Sequence, residues 1–316
     1  MRPRVCVLMA VYRPDPAYLK QQLLSIEQQD YENLYLYIRE DCGGETQEVL
    51  RLARDCLDKV PFSLDSNEKN LGSTKTFELL TQKAQGDYFA YCDQDDVWET
   101  DKISKLMQRA SQGPLVYSDL SVIDGAGNKQ YDSFRQMRRR IRHLHGEGLT
   151  SFFLRRNCVT GCTMLMRASA AKAAAPFPAA YVHDHWLALC ASAEGPIAYC
   201  PEALVRYRVH GKNQIGAAVL KDTTDRDDYI AVRLQAEREK YETVLQRFAQ
   251  NAAVEQMAWE RLACLANRER FLKKPRWASF GAFCRGARED FQLFVLELAL
   301  AILPKAWGRH MLRRIK

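Results

Sequence analysis

The chain has 316 residues and a mass of 36.3 kDa, with 47% hydrophobic and 27% charged residues. This balance is typical of a soluble globular protein and excludes disordered, collagen-like and low-complexity classes. No stretch reaches the roughly 18 apolar residues of a membrane-spanning helix, and the N-terminal apolar run is too short for a signal peptide. The ten cysteines are scattered, which favours reduced thiols in a cytoplasmic protein.

The formal net charge of +7 is unevenly distributed. Residues 268–316 contain twelve Lys and Arg against four Asp and Glu, so this tail carries +8 and residues 1–267 carry −1. A basic tail on a nearly neutral body indicates either an anionic partner surface or a solvated helical face. Nucleic-acid binding is not expected, because there is no aromatic-interleaved basic sheet and no helix-turn-helix pattern.

The first 115 residues alternate between strand and helix patterns. Strands are predicted at 5–11, 34–38, 62–64 and 88–92, and helices at 16–29, 46–58 and 73–85. This alternation predicts an α/β domain whose mainly parallel sheet lies between helices. Ligands bind beyond the carboxyl ends of such strands, where polar residues stand at Tyr12 and Arg13, Glu40 and Asp41, and Asp93, Asp95 and Asp96.

The remaining chain is mixed up to about residue 217 and helical from 218. Strands are predicted at 115–117, 159–166, 197–200 and 203–208, and helices at 168–175 and 183–193. A loop at 124–150 is rich in arginine (Arg135, Arg138, Arg139, Arg140, Arg142). We expect this loop to bind a pyrophosphate group or a membrane surface, or to be simply solvated.

The helical region, 218–316, contains two long helices at 222–248 and 252–272. Beyond Pro275 an apolar stripe has three- and four-residue spacing: Phe280, Phe283, Ala287, Phe291, Phe294, Leu298 and Ile302. With its basic flanks, this stripe predicts a helix that lies in a membrane interface or packs on the preceding helices.

The strongest chemical signal is the sequence DQDDVW at 93–98, directly after an apolar strand. Three carboxylates within four residues repel one another unless a cation or hydrogen bonds compensate. Oxygen-rich sites of this kind suit Mg²⁺ or Mn²⁺ bound together with phosphate oxygens. An acidic turn that caps a helix near Trp98 is the alternative, but the carboxylate pair at the 34–38 strand end favours a metal–nucleotide site.

In this order, several segments resemble the inverting family 2 glycosyltransferases of GT-A fold. They are VLMAVY at 7–12, IREDCG at 38–43, NLG at 70–72 with Lys75, and DQDDVW at 93–98, followed by VYSDL at 116–120, NCVTGCTM at 157–164, HDHWLAL at 183–189 and YRVHGKN at 207–213. The whole set is most similar to the bacterial rhamnosyltransferases that build cell-surface polysaccharide. The resemblance covers about residues 4–217.

The resemblance implies roles for residues at matching positions. Ala10, Tyr12 and Asp41 would line the nucleotide-base pocket, with Lys75 also on the nucleotide-sugar side. Asp93 and Asp95 would hold the diphosphate. Metal ligands would come from Asp95, Asp96 and His210, unless His210 is an ordinary loop histidine.

Asp184 matches the general base of inverting members, although a helix N-cap is its alternative. A carboxylate on the acceptor side can take the proton of the attacking hydroxyl, while a divalent cation stabilises the leaving nucleotide. Trp186, Thr160 and Gly161 would contact the acceptor. Trp186 in the core and Gly161 as a close-packing residue are the alternatives.

The implied function is transfer of L-rhamnose from dTDP-rhamnose onto a lipid-linked glycan at the inner face of the cytoplasmic membrane, with Mg²⁺ or Mn²⁺ as cofactor. The alternatives are a UDP-hexose or UDP-N-acetylhexosamine transferase of the same fold, and a non-catalytic scaffold that binds nucleotides or glycans. A dinucleotide-dependent dehydrogenase is disfavoured because no G-x-G-x-x-G follows the first strand.

Overall fold

A mixed sheet of nine strands forms the first part of the chain in a computed structural model that describes residues 2–210, 223–285 and 290–315. The strands are β1 (Val5–Val11), β2 (Leu34–Glu40), β3 (Phe62–Ser66), β4 (Tyr88–Cys92), β5 (Val97–Trp98), β6 (Leu115–Ile123), β7 (Lys129–Tyr131), β8 (Met164–Arg167) and β9 (Ile197–Arg208). Their order is β3-β2-β1-β4-β8-β6-β9-β5, and β7 pairs with β6.

The β1–β4 half of the sheet is parallel, as the sequence predicts. Strand β1 pairs in parallel with both β2 and β4, and β2 pairs in parallel with β3. A strand that is buried on both faces needs a continuous apolar sequence, and VCVLMAV of β1 is of this kind. The carboxyl ends of β1, β2 and β4 therefore meet at one edge, which brings their polar residues together.

Strand β8 makes the sheet mixed. It runs antiparallel to both β4 and β6, whereas β9 runs parallel to β6. The sequence predicts a strand over 159–166, but residues Gly161–Thr163 form a 3₁₀ turn and the strand begins only at Met164. The 197–200 and 203–208 strands are one continuous strand, and 97–98 form a strand rather than the start of a helix.

Helices flank the sheet as α1 (Pro16–Glu27), α2 (Thr46–Cys56), α3 (Ser73–Lys83), α4 (Lys102–Met107), α5 (Phe134–Met137), α6 (Thr150–Phe153), α7 (Ala168–Ala173) and α8 (His183–Glu194). Helix α1 shows why these bounds arise: the Asp15 side chain accepts hydrogen bonds from the N–H groups of Ala17 and Tyr18, and Pro16 occupies the first turn.

The chain divides into two compact units, Met1–Lys212 and Asn213–Lys316. The second unit contains α9 (Arg226–Asp228), a π-helical turn (Tyr229–Leu234), α10 (Gln235–Arg247), α11 (Ala252–Lys273), α12 (Trp277–Arg285), α13 (Phe291–Ile302) and α14 (Lys305–Ile315). The predicted boundary at 217 and Ala287 of the apolar stripe lie outside the described residues. Within those residues, no helix combines the length and hydropathy needed to cross a membrane.

The C-terminal apolar stripe is divided between two faces. Phe283 is buried against α11, and Phe280, Phe294 and Leu298 are partly buried in the same cluster. Phe291 and Ile302 are instead 70% and 63% exposed. The stripe therefore packs in part on the preceding helices, one of the two outcomes that the sequence allows, and leaves an outer apolar face.

Glu297 shows that α13 is docked within its unit. This carboxylate is buried and accepts hydrogen bonds from the Arg268 guanidinium at 2.6 to 3.1 Å and from the Tyr229 hydroxyl at 2.8 Å. Arg268 also donates to Glu237 at 2.8 Å. The three helices α10, α11 and α13 and the π-helical turn are thus joined by one buried ionic network.

Candidate active site

The carboxylates that follow β4 repel one another in a buried setting. Burial, with the charges of Asp95 and Asp184, raises the pKa of Asp93 to about 7. Burial and the charges of Asp93 and Asp95 raise the pKa of Asp96 well above its usual range. Because Lys102 and the Arg208 N–H compensate these charges only in part, the cluster has the chemistry of a cation site.

Asp95 is paired with His210, which lies just beyond the end of β9. The His210 Nε2 atom lies 2.8 Å from Asp95 Oδ2, and the Tyr18 ring packs beside the imidazole at a centroid distance of 5.6 Å. The two groups are 115 residues apart in sequence. A carboxylate oxygen and an imidazole nitrogen at this separation are suitable ligands for one divalent cation.

Asp96 does not take part in the Asp95–His210 pair. Its side chain is fully buried, and Oδ1 accepts a hydrogen bond from the Arg208 backbone N–H at 3.0 Å. Its ligand atoms group instead with those of Asp93 and Cys162, all within 4.8 Å of one another. The structure thus splits the predicted set of Asp95, Asp96 and His210, because the Asp96 carboxylate turns inward to fasten β9.

Arg208 organises this region, although no sequence pattern singles it out. Its guanidinium is 1% exposed and donates to the Asp95 carbonyl at 2.8 Å, to the Asp124 and Gly125 carbonyls, and to Gln21 Oε1 at 2.6 Å. Its partners lie between 83 and 187 residues away in sequence. Arg208 therefore fixes the backbone that carries Asp95 and Asp96.

Asp184 lies in the first turn of α8. Its Oδ2 accepts from the Gly161 N–H at 3.2 Å and its Oδ1 from the His185 N–H at 2.5 Å. Burial raises the pKa of Asp184 to about 6, although these hydrogen bonds oppose the shift. The Asp184 charge in turn contributes to the raised pKa of Asp93. Gly161, which donates to Asp184, directly precedes Cys162, whose Sγ lies within 4.8 Å of carboxylate oxygens of Asp93 and Asp96, so the predicted base lies near the predicted donor-side carboxylates.

Asp184 is not the N-cap of α8, because Val182 occupies that position. Gly161 has a packing role as well: a Cβ at this position would lie 2.6 Å from His183 Nε2 and 3.6 Å from the Asp184 Cβ. The close-packing alternative for Gly161 is therefore correct. The Thr160 carbonyl accepts from the Thr163 N–H and hydroxyl, which closes the 161–163 turn.

Trp186 does not reach an acceptor. Its side chain is 1% exposed, and the indole N–H donates to the Ala174 carbonyl at 2.8 Å. The ring also packs on Tyr181 at a centroid distance of 5.3 Å. The expectation that Trp186 stacks on a sugar is wrong, because the helical repeat of α8 directs this ring into the core.

Two residues that are predicted to line the base pocket, Ala10 and Tyr12, lie at the end of β1 and just after it. Tyr12 follows β1, is 38% exposed, and exchanges two backbone hydrogen bonds with the Gln94 amide at 2.7 and 3.1 Å. Gln94 was not predicted, and it joins the end of β1 to the acidic turn. Ala10 lies two residues earlier in β1 with an intermediate exposure.

Asp41 and Lys75, which are also predicted to bind the nucleotide sugar, make local hydrogen bonds. Asp41 is buried, and its carboxylate accepts from the Asn67 side chain and from the N–H groups of Leu71 and Gly72 at 2.8 to 2.9 Å. Asp41 therefore fixes the 67–72 loop. The Lys75 ammonium is half exposed and pairs with Glu78 at 2.7 Å.

Asp119 contacts residues on both sides of the five arginines of the 124–150 loop; residues 133–143 are called the arginine-rich segment below. Its carboxylate accepts from the Ser133 hydroxyl at 2.5 Å and the Phe134 N–H at 3.2 Å, and its Oδ1 lies 3.3 Å from His143 Nε2. The five arginines between these contacts are exposed (Arg135, Arg138, Arg139, Arg140, Arg142). None of them has an ion-pair partner among the described residues, so together they present a concentrated positive surface.

Comparisons with curated proteins identify relatives that are glycosyltransferases by name. An uncharacterized glycosyltransferase of Haemophilus influenzae is 30% identical over 130 residues, covering 40% of this chain and 51% of that protein. A second one from the same organism is 28% identical over 223 residues, covering 66% of each. An N-acetylglucosaminyltransferase of Rhizobium leguminosarum is 31% identical over 109 residues, 34% of this chain and 25% of that protein. The chain thus spans about half of the first relative.

Solved structures show the same fold at low sequence identity. S. aureus TarS 1–349 in complex with UDP-GlcNAc superposes with a TM-score of 0.60 at 14% identity, covering 99% of this chain and 90% of that one. The mannosyltransferase PcManGT from Pyrobaculum calidifontis, in complex with GDP-Man and Mn²⁺, gives 0.56 at 14% identity, covering 95% and 85%. The predicted GT-A-like α/β fold with C-terminal helices is confirmed.

A family model covers more than half of the chain. The model of glycosyl transferase family 2 matches residues 6–173, which include β1, the DQDD turn and the 161–163 turn. The chain belongs to glycosyl transferase family 2.

Proposed function

We propose that this family 2 protein is a glycosyltransferase that works by single displacement with inversion, using Asp184 as the general base. The observation that carries the proposal is the closeness of Asp184 to the acidic turn: Asp184 accepts a hydrogen bond from the Gly161 N–H, and the next residue, Cys162, has its Sγ within 4.8 Å of carboxylate oxygens of Asp93 and Asp96. A base must act from the side of the reacting sugar that faces away from the leaving nucleotide, and the two carboxylates come from different elements, the first turn of α8 and the turn after β4.

The residues divide the chemistry between them. Asp184 accepts the proton of the acceptor hydroxyl at Oδ1 or Oδ2, while the Gly161 and His185 N–H groups hold the carboxylate in place. Asp93 and the Asp95–His210 pair would hold Mg²⁺ or Mn²⁺, which would neutralise charge on the departing diphosphate. Ala10, Tyr12, Asp41 and Lys75 would bind the nucleotide sugar, with Asp41 acting by shaping the 67–72 loop.

The donor is proposed in two forms. The ordered motif set favours dTDP-L-rhamnose, whereas the N-acetylglucosaminyltransferase relative and the UDP-GlcNAc complex of TarS favour a UDP-N-acetylhexosamine. A thermal-shift comparison of dTDP with UDP, each with Mn²⁺ or Mg²⁺, separates them. Stronger stabilisation by dTDP supports rhamnose, and stronger stabilisation by UDP contradicts it.

The acceptor is proposed to be a lipid-linked saccharide whose pyrophosphate meets the arginine-rich segment. Guanidinium groups bind phosphate oxygens in a bidentate manner, and Asp119 holds both ends of this segment in place. The triple variant of Arg138, Arg139 and Arg140 to Gln should raise KM for a pyrophosphate-linked acceptor and leave donor hydrolysis unchanged. Unchanged acceptor KM would contradict this assignment.

The enzyme is further proposed to bind the cytoplasmic face of a membrane through the outer apolar face of the second unit. Trp277 is 89% exposed, and a chain of ring contacts leads from it through Phe280, Phe283 and Phe294 to the exposed Phe291. Exposed Lys274, Arg276 and Arg285 flank these rings. Aromatic rings with basic neighbours suit an anionic lipid interface.

Vesicle co-sedimentation tests the membrane proposal. We expect binding to vesicles with anionic lipid, weaker binding to neutral vesicles, and loss of binding in the Trp277→Ser, Phe291→Ser double variant. Trp259→Ser is the matched control, because Trp259 is 56% exposed on α11 and outside the ring chain. Equal binding by all variants would contradict the proposal.

A donor-hydrolysis screen tests the enzymatic proposal as a whole. Nucleotide sugars are incubated with the protein with and without EDTA, and nucleoside diphosphate release is measured. We expect release from one donor class, loss with EDTA and recovery with Mn²⁺ or Mg²⁺. Tight nucleotide binding without release or transfer to any acceptor would support the non-catalytic scaffold instead.

A further inference from the structure

Lys102 is a buried cation at the junction of the two halves of the active site. Its side chain is fully buried, and Nζ donates to the Cys162 carbonyl at 2.6 Å, 60 residues away in sequence. The same ammonium lies 3.1 Å from the centroid of the Trp98 ring. Lys102 therefore contacts β5, which directly follows the acidic turn, and the 161–163 turn on the acceptor side.

The contacts of Lys102 continue to the proposed base. Cys162 is the central residue of the 161–163 turn, and the first residue of that turn, Gly161, donates its N–H to Asp184 Oδ2 at 3.2 Å. On the other side, the positive charge of Lys102 opposes the upward pKa shift of Asp93. One side chain thus touches the backbone that holds the base and offsets the charge on the donor side.

Burying an ammonium is expensive, and no carboxylate forms a direct ion pair with it among the described residues. Desolvation lowers the pKa of Lys102 to about 7. An apolar side chain of similar length would satisfy packing at a lower free-energy cost. The position of this lysine is therefore better explained by the site than by the stability of the fold.

We propose that Lys102 is a positioning residue that joins the donor side of the site to the turn holding Asp184. This inference rests on the proposed role of Asp184 and deepens it. The hydrogen bond to the Cys162 carbonyl orients the 161–163 turn, which presents the Gly161 N–H to the Asp184 carboxylate. Lys102 acts through these groups and touches no substrate.

The test compares Lys102→Met with Lys105→Met. Lys105 is the matched control, because it lies on the same helix but pairs at the surface with Asp101 and Glu202. We expect Lys102→Met to lower kcat by about 10- to 100-fold, since displacing a catalytic group by a fraction of an ångström has effects of this size. KM for the donor and the melting temperature should stay close to wild type.

A pH profile and hydrogen exchange separate positioning from a general structural role. Without the oriented Gly161 N–H, Asp184 loses a bond that favours its ionised form, so the acidic limb of the kcat profile should move to higher pH. The other groups facing Asp184 are Asp93, Asn157 and the neutral His183. Amide exchange in the 158–164 peptide should accelerate in Lys102→Met and not in Lys105→Met.

Lys102→Gln keeps a donor for the Cys162 carbonyl without the charge. We expect it to restore part of the exchange protection and of kcat. The proposal is overturned if Lys102→Met keeps wild-type kcat and exchange, if kcat and melting temperature fall in proportion, or if Lys102→Gln behaves as Lys102→Met. Should the wild type turn over no donor, the proposed function fails, while the exchange comparison still decides the role of Lys102.

Discussion

The acidic turn of the first unit and the ionic network of the second surround their carboxylates in opposite ways. In the second unit, Arg268 pairs with both Glu297 and Glu237, and this pairing lowers the pKa of Glu237 despite its burial. In the first unit, the partly buried Asp93 and the fully buried Asp96 lie near other acids, and their pKa values rise. Satisfied buried charges indicate a structural network, whereas uncompensated ones indicate a place for a ligand.

Among the changes that test this comparison, Asp93→Asn has the largest expected effect: it should lower turnover and raise the stability of the ligand-free protein. Turnover should fall at least about a hundredfold, because a carboxylate that holds the leaving group's counter-charge is removed. The ligand-free protein should at the same time become more stable near pH 8. The folded-state pKa of Asp93, about 7, lies above its usual value of 3.8, so its ionisation costs stability as pH rises through this range.

The measurement is thermal unfolding of wild type and Asp93→Asn at about pH 4 and about pH 8. The gain in melting temperature should appear at the higher pH and largely vanish at the lower one, where the wild-type carboxyl is protonated. A variant that is less stable than wild type near pH 8 would show that Asp93 is a satisfied structural group like Glu297.

Arg268→Met is the corresponding change in the second unit, and it should lower stability instead of raising it. Removing the cation leaves Glu297 and Glu237 buried without a partner, and this should lower the free energy of unfolding by about 3 to 5 kcal/mol. Chemical denaturation measures the loss, with Arg270→Met as control, because Arg270 is an exposed neighbour on α11. Equal stability of the two variants would show that Arg268 does not stabilise the buried carboxylates of the second unit, which would contradict the comparison.

The pH dependence of turnover sharpens the comparison. Asp184 must be ionised to accept a proton, and its pKa is raised to about 6 by burial. The kcat of the transfer reaction should therefore be constant above about pH 7 and fall tenfold per unit below about pH 6. An acidic limb near pH 4 would mean that an ordinary exposed carboxylate limits the reaction.

Gly161→Ala should have the smallest effect. The new Cβ would lie 2.6 Å from Nε2 of the buried His183, closer than any ordinary contact, so the 161–163 turn or the His183 ring must shift. We expect a decrease of about tenfold in kcat and a loss of about 1 to 3 kcal/mol in stability. Gly281→Ala on α12 is the control, since nothing lies within 4 Å of its added Cβ; equal kcat in both variants would contradict the argument.

The sequence predicted those parts of the fold that depend on local patterns. The bounds of β1 and β4 agree with the structure because continuous apolar runs bounded by polar turns are unambiguous. The 159–166 segment was misassigned because its apolar residues are buried in a 3₁₀ turn as well as in a strand. The C-terminal stripe was read as one helix, although two helices, α12 and α13, share it.

Sequence reasoning pointed to four residues of the candidate site from their type, their position and the family resemblance: Asp93, Asp95, Asp184 and His210. It did not point to Lys102, Arg208 or Gln94, because the roles of these residues arise from partners 60 to 187 residues away, which periodicity does not detect. Trp186 illustrates the reverse error, since an aromatic beside a catalytic residue is equally suited to the core.

The Asp184→Asn variant tests the central claim most directly, because it changes one atom of the proposed base and leaves the donor-side carboxylates intact. Sugar transfer and the binding of nucleoside diphosphate with Mn²⁺ are measured on the same preparation. The account predicts that transfer falls by about 10²- to 10⁴-fold while nucleotide–metal affinity stays within a few-fold of wild type. Normal transfer by the variant would contradict it.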